Sequence, residues 1–131
     1  MLQIHDRDAH DDVLRVLKDE GAPEKTVFHC FSGDAAMARF CADQGWYLSF
    51  AGTLTFKNAA DLREALLAVP FDRVLVETDA PYLTPMPYRG RLNGSYLMPH
   101  TVRQMATVTQ RDVSEICADL MANSEELYGS W

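Results

Sequence analysis

Three side chains able to bind a metal occupy one kind of position along this sequence. His5, His29 and Asp79 each close a short apolar run and stand just before a turn. In a parallel sheet such positions converge on the carboxyl edge, where α/β folds carry their chemistry. Two imidazoles and a carboxylate gathered there suit a divalent metal. Nitrogen ligands favour zinc, and oxygen ligands favour manganese or magnesium. Glu77 lies two residues before Asp79, and side chains alternate along a strand, so both carboxylates point to the same side. Glu77 therefore reads in two ways: as an acceptor that orients a ligand histidine or water, or as a structural carboxylate paired with an arginine. Arg89, Arg91 and Asn93 form a concentrated polar and cationic loop a few residues on. Guanidinium forks match phosphate oxygens, although the same loop also reads as a solvated cover over the site. His10 reads as a helical surface histidine, and His100, beside Pro99, as a capping or surface group. Cys30 follows His29, so alternation sends it to the opposite face and into the core.

The elements that must position these groups are organised around Arg73-Val74-Leu75-Val76-Glu77-Thr78-Asp79-Ala80-Pro81-Tyr82-Leu83. Its Val and Leu residues predict a strand buried on both faces, and Pro81 sets the strand end at about Ala80. Upstream, Leu2 to Ile4 read as the tail of a strand ending at His5. A helix follows, with Asp8 as its cap, Val13, Leu14 and Leu17 as its apolar stripe, and Gly21 and Pro23 as its stop. Thr26 to Phe31 predict a second strand, Ser32-Gly33-Asp34 a turn and cap, and Ala35 to Cys41 a helix with Gly45 past its end. Trp46 to Phe50 predict a third strand. Asn58 is expected to cap a helix carrying Leu62, Leu66 and Leu67. Strand alternates with helix four times, the pattern of right-handed βαβ units on a parallel sheet. Beyond the Thr84–Asn93 loop, Pro99 opens a helix, a second runs from about Asp112 past Leu120, and a short turn is expected near Ser124.

At 131 residues the chain is one α/β domain, shorter than the roughly 250 residues of a closed eight-stranded βα barrel. Its formal net charge is −7, so its long-range field repels phosphate backbones. A nucleic-acid substrate would need local cations or bound metal. Cys30, Cys41 and Cys117 show no metal-ligand spacing and read as reduced, mostly buried thiols of a cytoplasmic protein. No stretch has the length and apolarity of a membrane span.

Val76-Glu77-Thr78-Asp79-Ala80-Pro81-Tyr82-Leu83-Thr84-Pro85 resembles the TatD family of metal-dependent deoxyribonucleases, within the amidohydrolase-like TIM barrels. So do Ile4-His5-Asp6-Arg7-Asp8-Ala9-His10, His29-Cys30-Phe31-Ser32-Gly33, and Arg89-Gly90 followed by Asn93. The resemblance covers essentially the whole chain, but only the C-terminal half of the family's barrel: its last four βα units plus C-terminal helices. It implies hydrolysis of DNA phosphodiester bonds at a two-metal site. His5 and His29 would hold one metal, and Asp79 would contact metal and move the proton of the attacking water. The family's paired histidines of the first strand and its glutamate of the fourth have no counterpart upstream of His5, so the other metal position is expected to be largely unliganded and activity weak or absent. The family commonly has a proline two positions after the asparagine, where Ser95 stands here, which weakens the carry-over to Asn93.

Competing readings are a non-catalytic half-barrel assembly module and a hydrolase of another ester or small phosphoester. A chain opening on a strand that ends in a catalytic-type histidine suggests further sequence upstream. Four strands curved for a barrel leave open edges and an inward face without its partner layers. Self-association is the expected remedy. Capture of a missing N-terminal half, or burial of a flatter sheet under the C-terminal helices, would serve the same end.

Overall fold

The computed structural model describes residues 1–130. Its strands are β1 (Leu2–His5), β2 (Thr26–His29), β3 (Tyr47–Phe50) and β4 (Val74–Val76). They form one sheet in the order β1-β2-β3-β4, with every neighbouring pair parallel. Helices α1 (His10–Glu20), α2 (Ala35–Asp43) and α3 (Ala60–Ala68) fill the three crossovers, and α4 (Met98–Thr109) and α5 (Val113–Tyr128) follow β4. The α/β architecture expected from the alternation is therefore present. No helix among the described residues is long and apolar enough to cross a membrane.

Alternation along each strand divides the sheet into two faces. Phe28, Leu48, Phe50 and Val74 point toward the helices and join Leu17, Met37, Cys41, Leu66, Met105 and Ile116 in the main core. Val27, Tyr47 and Leu75 point the other way and are buried together with Leu127 of α5. The last turn of α5 thus reaches the face that would line a barrel. Lys25 holds it there, donating from Nζ to the carbonyls of Glu126 and Leu127 at 3.0 Å each. These are carbonyls that a helix end leaves without a partner. At this layer the expected bare inward face is instead covered by the chain's own last helix.

Helix ends show where local chemistry decided the structure and where it did not. Asp34 caps α2, accepting from the Met37 amide at 2.9 Å, and Asp112 caps α5 through the Ser114 amide at 2.8 Å. Gly45 has φ +78 just past α2, as a C-terminal glycine should. Asp8 does not cap α1. Its φ of 56 turns the chain off β1, and Asp6 accepts from the Ala9 amide in its place, at 3.2 Å. Asn58 does not cap α3 either: the N-cap residue is Ala59, with no side-chain bond. No separate turn begins near Ser124: α5 runs on through Tyr128, with Ser124 Oγ donating back to the Leu120 carbonyl at 2.8 Å.

One buried polar group secures the open edge of the sheet. The Glu77 amide bonds back to the Phe50 carbonyl at 3.1 Å, so alternation puts the Val74 carbonyl on the edge of β4 that faces away from β3. Asn123, 5% exposed, donates from Nδ2 to that carbonyl at 2.8 Å and to the Phe71 carbonyl at 2.7 Å. Asn123→Ala is expected to destabilise the fold by about 1–3 kcal/mol, the cost of orphaning buried acceptors. Urea unfolding should show a lower midpoint at unchanged slope, and an unshifted midpoint would count against the role.

Candidate metal centre

His29 closes β2 with its ring held between two carboxylates. Nδ1 lies 2.8 Å from Glu77 Oε2, and Nε2 lies 3.3 Å from Asp79 Oδ1. These three side chains offer ligand atoms that all fall within 4.8 Å of one another. β2 and β4 are not neighbours, since β3 runs between them. Ser49 is the β3 residue on the same face, two residues beyond Tyr47, and it is buried. Its small side chain leaves the room in which His29 and Glu77 meet. His5 pairs in register with His29, with ring centroids 5.8 Å apart and planes inclined by 35°. Both histidines stand on one face of the sheet, as expected. His5 is nonetheless exposed and lies outside the tight group.

The donor set fits a cation. With Nδ1–H given to Glu77, the neutral tautomer turns an Nε2 lone pair toward Asp79, itself an acceptor. That pairing is satisfied by an additional proton or by a metal ion. Glu77 Oε1 is buried with no hydrogen-bond partner among the described residues, so the cluster does not satisfy itself, and orphaned buried carboxylate oxygens are costly. Among the described residues Glu77 pairs with His29 and not with an arginine.

The turn carrying Asp79 differs from the strand the sequence predicted. β4 stops at Val76, four residues short of Ala80, and Asp79 has φ 53. The backbone there is left-handed, a conformation that costs a non-glycine residue about 1–2 kcal/mol. Same-side placement of Glu77 and Asp79 therefore arises from a tight turn and not from strand pleat. Asn93 holds the turn. Expected as a phosphate contact, it is 8% exposed and gives Nδ2 to the carbonyls of Thr78 and Tyr82 at 2.7 Å each. Its Oδ1 accepts from the Gly94 amide at 2.8 Å. With its donors so engaged it has none left for substrate. Gly52 lets the same loop pack closely, since a Cβ there would fall 2.1 Å from the Leu83 carbonyl oxygen.

Residues 1–129 match the model of the TatD related DNase family. The chain belongs to that family. It is similar to a Mycobacterium tuberculosis protein named as an uncharacterized metal-dependent hydrolase TatD, 51% identical over 98% of this chain and 48% of that one. Bacillus subtilis YabD, also named as an uncharacterized metal-dependent hydrolase, is 41% identical over 95% of this chain and 49% of its own length. Among solved structures, the Escherichia coli TatD homologue YjjV superposes with TM-score 0.88 at 26% identity, covering 95% of this chain and 48% of the other. The chain spans about half the length of the curated relatives it matches, and its four βα units have the fold of the corresponding part of a TatD barrel.

Within this TatD-family chain, Arg89 and Arg91 are exposed. The Arg89 guanidinium lies 4.2 Å from the Phe56 ring centroid and that of Arg91 5.8 Å from Tyr88. Among the described residues neither takes part in an ion pair. His10 is half-buried, with Nδ1 2.5 Å from Asp6 Oδ2, so it is a paired histidine and not a free surface one. The i, i+4 spacing of Asp6 and His10 was the signal for that pair. His100 packs edge-on against Tyr88, with centroids 5.2 Å apart. Sequence reasoning passed over Ser49, for which small size at an inward strand position is the only signal.

The cysteines also depart from expectation. Cys117 is exposed, Cys30 only half-buried and Cys41 buried. Cys30 has φ 47 and lies close enough to the site for Glu77 and Asp79 to act on it. Burial, with those two carboxylates adding, pushes its thiol up to about 12. Burial, with Asp6 adding, does the same for Cys41, from an ordinary value of 9.0 to about 12. These raised values favour the folded state fully below about pH 9, and the gain is lost as pH climbs toward 12. At pH 8 a disulfide reagent is expected to titrate Cys117 rapidly and Cys41 only on unfolding. Equal rates in the native protein would contradict the burial argument.

Proposed function

We propose that this chain carries one part of the divalent-metal centre of a hydrolase that cleaves phosphodiester bonds, with DNA as substrate. The observation that carries the reading is His29 held between Glu77 and Asp79 beside a buried, unpartnered Glu77 oxygen. His29 Nε2, Asp79 and His5 would hold the ion, while Glu77 fixes the tautomer and plane of His29. A bound ion would supply Lewis-acid polarisation of the phosphoryl group and acidify water. Asp79, one-third exposed at the turn, accepts the proton released as water adds to phosphorus. Arg89 and Arg91 are the phosphate contacts that remain once Asn93 is assigned to the turn. DNA enters through the family's name and the relatives' metal dependence through theirs. The mixed nitrogen and oxygen donors suit zinc or manganese more than magnesium. A cytoplasmic setting fits the three free thiols.

A second reading, a half-barrel assembly module, is favoured by β1. It has one strand neighbour and an alternating exposed pattern, leaving an edge to which a second copy or the remaining half of a barrel would add. Sedimentation at micromolar concentration is expected to show self-association. A monomer with a cooperative melt would show that the β1 edge needs no added strand.

Metal titration tests the first reading on the chain itself. Glu77→Gln should weaken metal binding about 10–100-fold, as loss of an orienting carboxylate does. In a complete barrel, Asp79→Asn should lower hydrolysis by at least about a hundredfold with little change in stability. An Asp79→Asn protein with full activity would remove Asp79 from the mechanism.

A further inference from the structure

Beyond the end of β3 the chain runs alongside the chain beyond β4. The last sheet bond joins the Glu77 amide to the Phe50 carbonyl at 3.1 Å. Two residues on, Gly52 meets Leu83 so closely that a Cβ would fall 2.1 Å from its carbonyl oxygen and 2.9 Å from the Pro85 nitrogen. Thr55 Oγ1 then accepts from the Met86 amide at 2.8 Å. The Phe56 ring centroid lies 4.2 Å from the Arg89 guanidinium. Phe50, Gly52, Thr55 and Phe56 thus meet Glu77, Leu83, Met86 and Arg89 in the same order, and Asp79 stands within this seam.

The β3 side of the seam is firmly held. Gly52–Thr55 form a single 3-10 turn, across which Thr55 Oγ1 donates to the Gly52 carbonyl at 2.7 Å. Leu54 is fully buried in the main core. Arg63 of α3 donates from one guanidinium nitrogen to the carbonyls of Leu54 at 3.2 Å and Phe56 at 2.9 Å, and from another to that of Lys57 at 3.4 Å. A planar fork of donors suits several carbonyls of irregular backbone at once. The β4 side is strained. Asp79 and Leu83 have φ 53 and 55, and left-handed residues with a Cβ persist only where the surroundings over-determine them. Asn93 holds the Asp79 turn from within its own loop. Across the seam, the Thr55 hydroxyl makes the one side-chain hydrogen bond among the described residues. It can serve both sides because a hydroxyl donates and accepts together.

We propose that Thr55 is a positioning residue for Asp79. Its hydroxyl, backed by Arg63, pins the far side of a loop whose near side is β4, and so holds the Asp79 carboxylate opposite His29. The role rests on the reading of His29, Glu77 and Asp79 as a metal centre. With both sides of the loop fixed, the carboxylate stays 3.3 Å from His29 Nε2, and an entering ion finds its ligands already ordered. Thr55 acts through the loop and touches neither ion nor substrate.

The test compares Thr55→Val, which keeps the side chain's shape and loses both of its bonds, with Thr55→Ser, which keeps them. Each chain is titrated with manganese by calorimetry, and hydrogen exchange at single amides is followed by NMR without metal. Thr55→Val should bind manganese roughly tenfold more weakly, the low end of the loss when a residue that orients a ligand is removed. Its Tyr82 and Asn93 amides, which bond to the Asp79 and Pro81 carbonyls, should exchange about two- to tenfold faster, the worth of one net hydrogen bond. Thr55→Ser should restore both. Arg63→Lys, which keeps the charge without the planar fork, should move both in the direction of Thr55→Val, and it decides the matter should that chain not fold. Ile116→Val, one methylene lost from the main core, should lower the melting temperature and leave manganese affinity unchanged. A folded Thr55→Val chain with parental manganese affinity, a Thr55→Ser chain that does not recover, or an Ile116→Val chain that loses as much affinity would each overturn the proposal. Should the unaltered chain take up no manganese, the metal reading fails and exchange alone decides: unchanged rates at Tyr82 and Asn93 overturn the role of Thr55, and faster rates uphold it for the Asp79 turn.

Discussion

The contact between His29 and Glu77 is the constraint on which the site depends. It joins strands that have a third between them, and neighbouring strands lie about 4.8 Å apart. Two side chains can meet across that gap only if the sheet curves toward them and the intervening residue is small. Parallel βαβ packing supplies the curvature, and Ser49 supplies the space. Below this level the same face carries Val27, Tyr47 and Leu75 under Leu127, so an apolar layer supports a polar one. Burial beneath and solvent above give the imidazole and its carboxylates a half-buried setting, where charge is felt strongly but ligands can still enter.

Backbone geometry at the strand ends completes the arrangement. Cys30 and Asp79 both take left-handed φ, one directly after His29 and the other within the His29–Glu77–Asp79 group itself. Such residues persist where surrounding bonds determine them. Around Asp79 those bonds come from Asn93, the Tyr82 amide and the Thr78 hydroxyl. A loop that the composition suggests is merely solvated is therefore a braced platform. Its polar groups are turned inward to the backbone, and its rings and guanidinium groups are turned outward.

The last helix belongs to the same account. α5 closes the free edge of β4 through Asn123 and covers the lower inward layer through Leu127, while Lys25 fastens its end. Local pattern alone marks these residues only as parts of an amphipathic helix. Their partners lie 49 to 102 positions away, beyond the reach of any periodicity argument.

By itself the sequence determined the order of the strands and main helices, the parallel connection of four strands, the family, and the strand-end placement of His5 and His29. Each rests on short-range facts: period-two apolar runs, glycine and proline breaks, and motifs of consecutive residues. Tertiary structure decided the rest. It gave Glu77 to His29 when the sequence left an arginine equally open, because the choice depends on what lies across β3. It moved Asn93 from phosphate contact to brace, because its amide meets carbonyls 11 and 15 positions away, and Cys30 from core to site margin, because a left-handed residue ends the alternation from which side-chain direction is inferred. It replaced Asp8 with Asp6 at the start of α1, where Asp8 itself takes a left-handed φ and the Ala9 amide turns to Asp6. Where the chain stays regular, spacing predicts direction; where φ changes sign, only long-range packing says which way a side chain points.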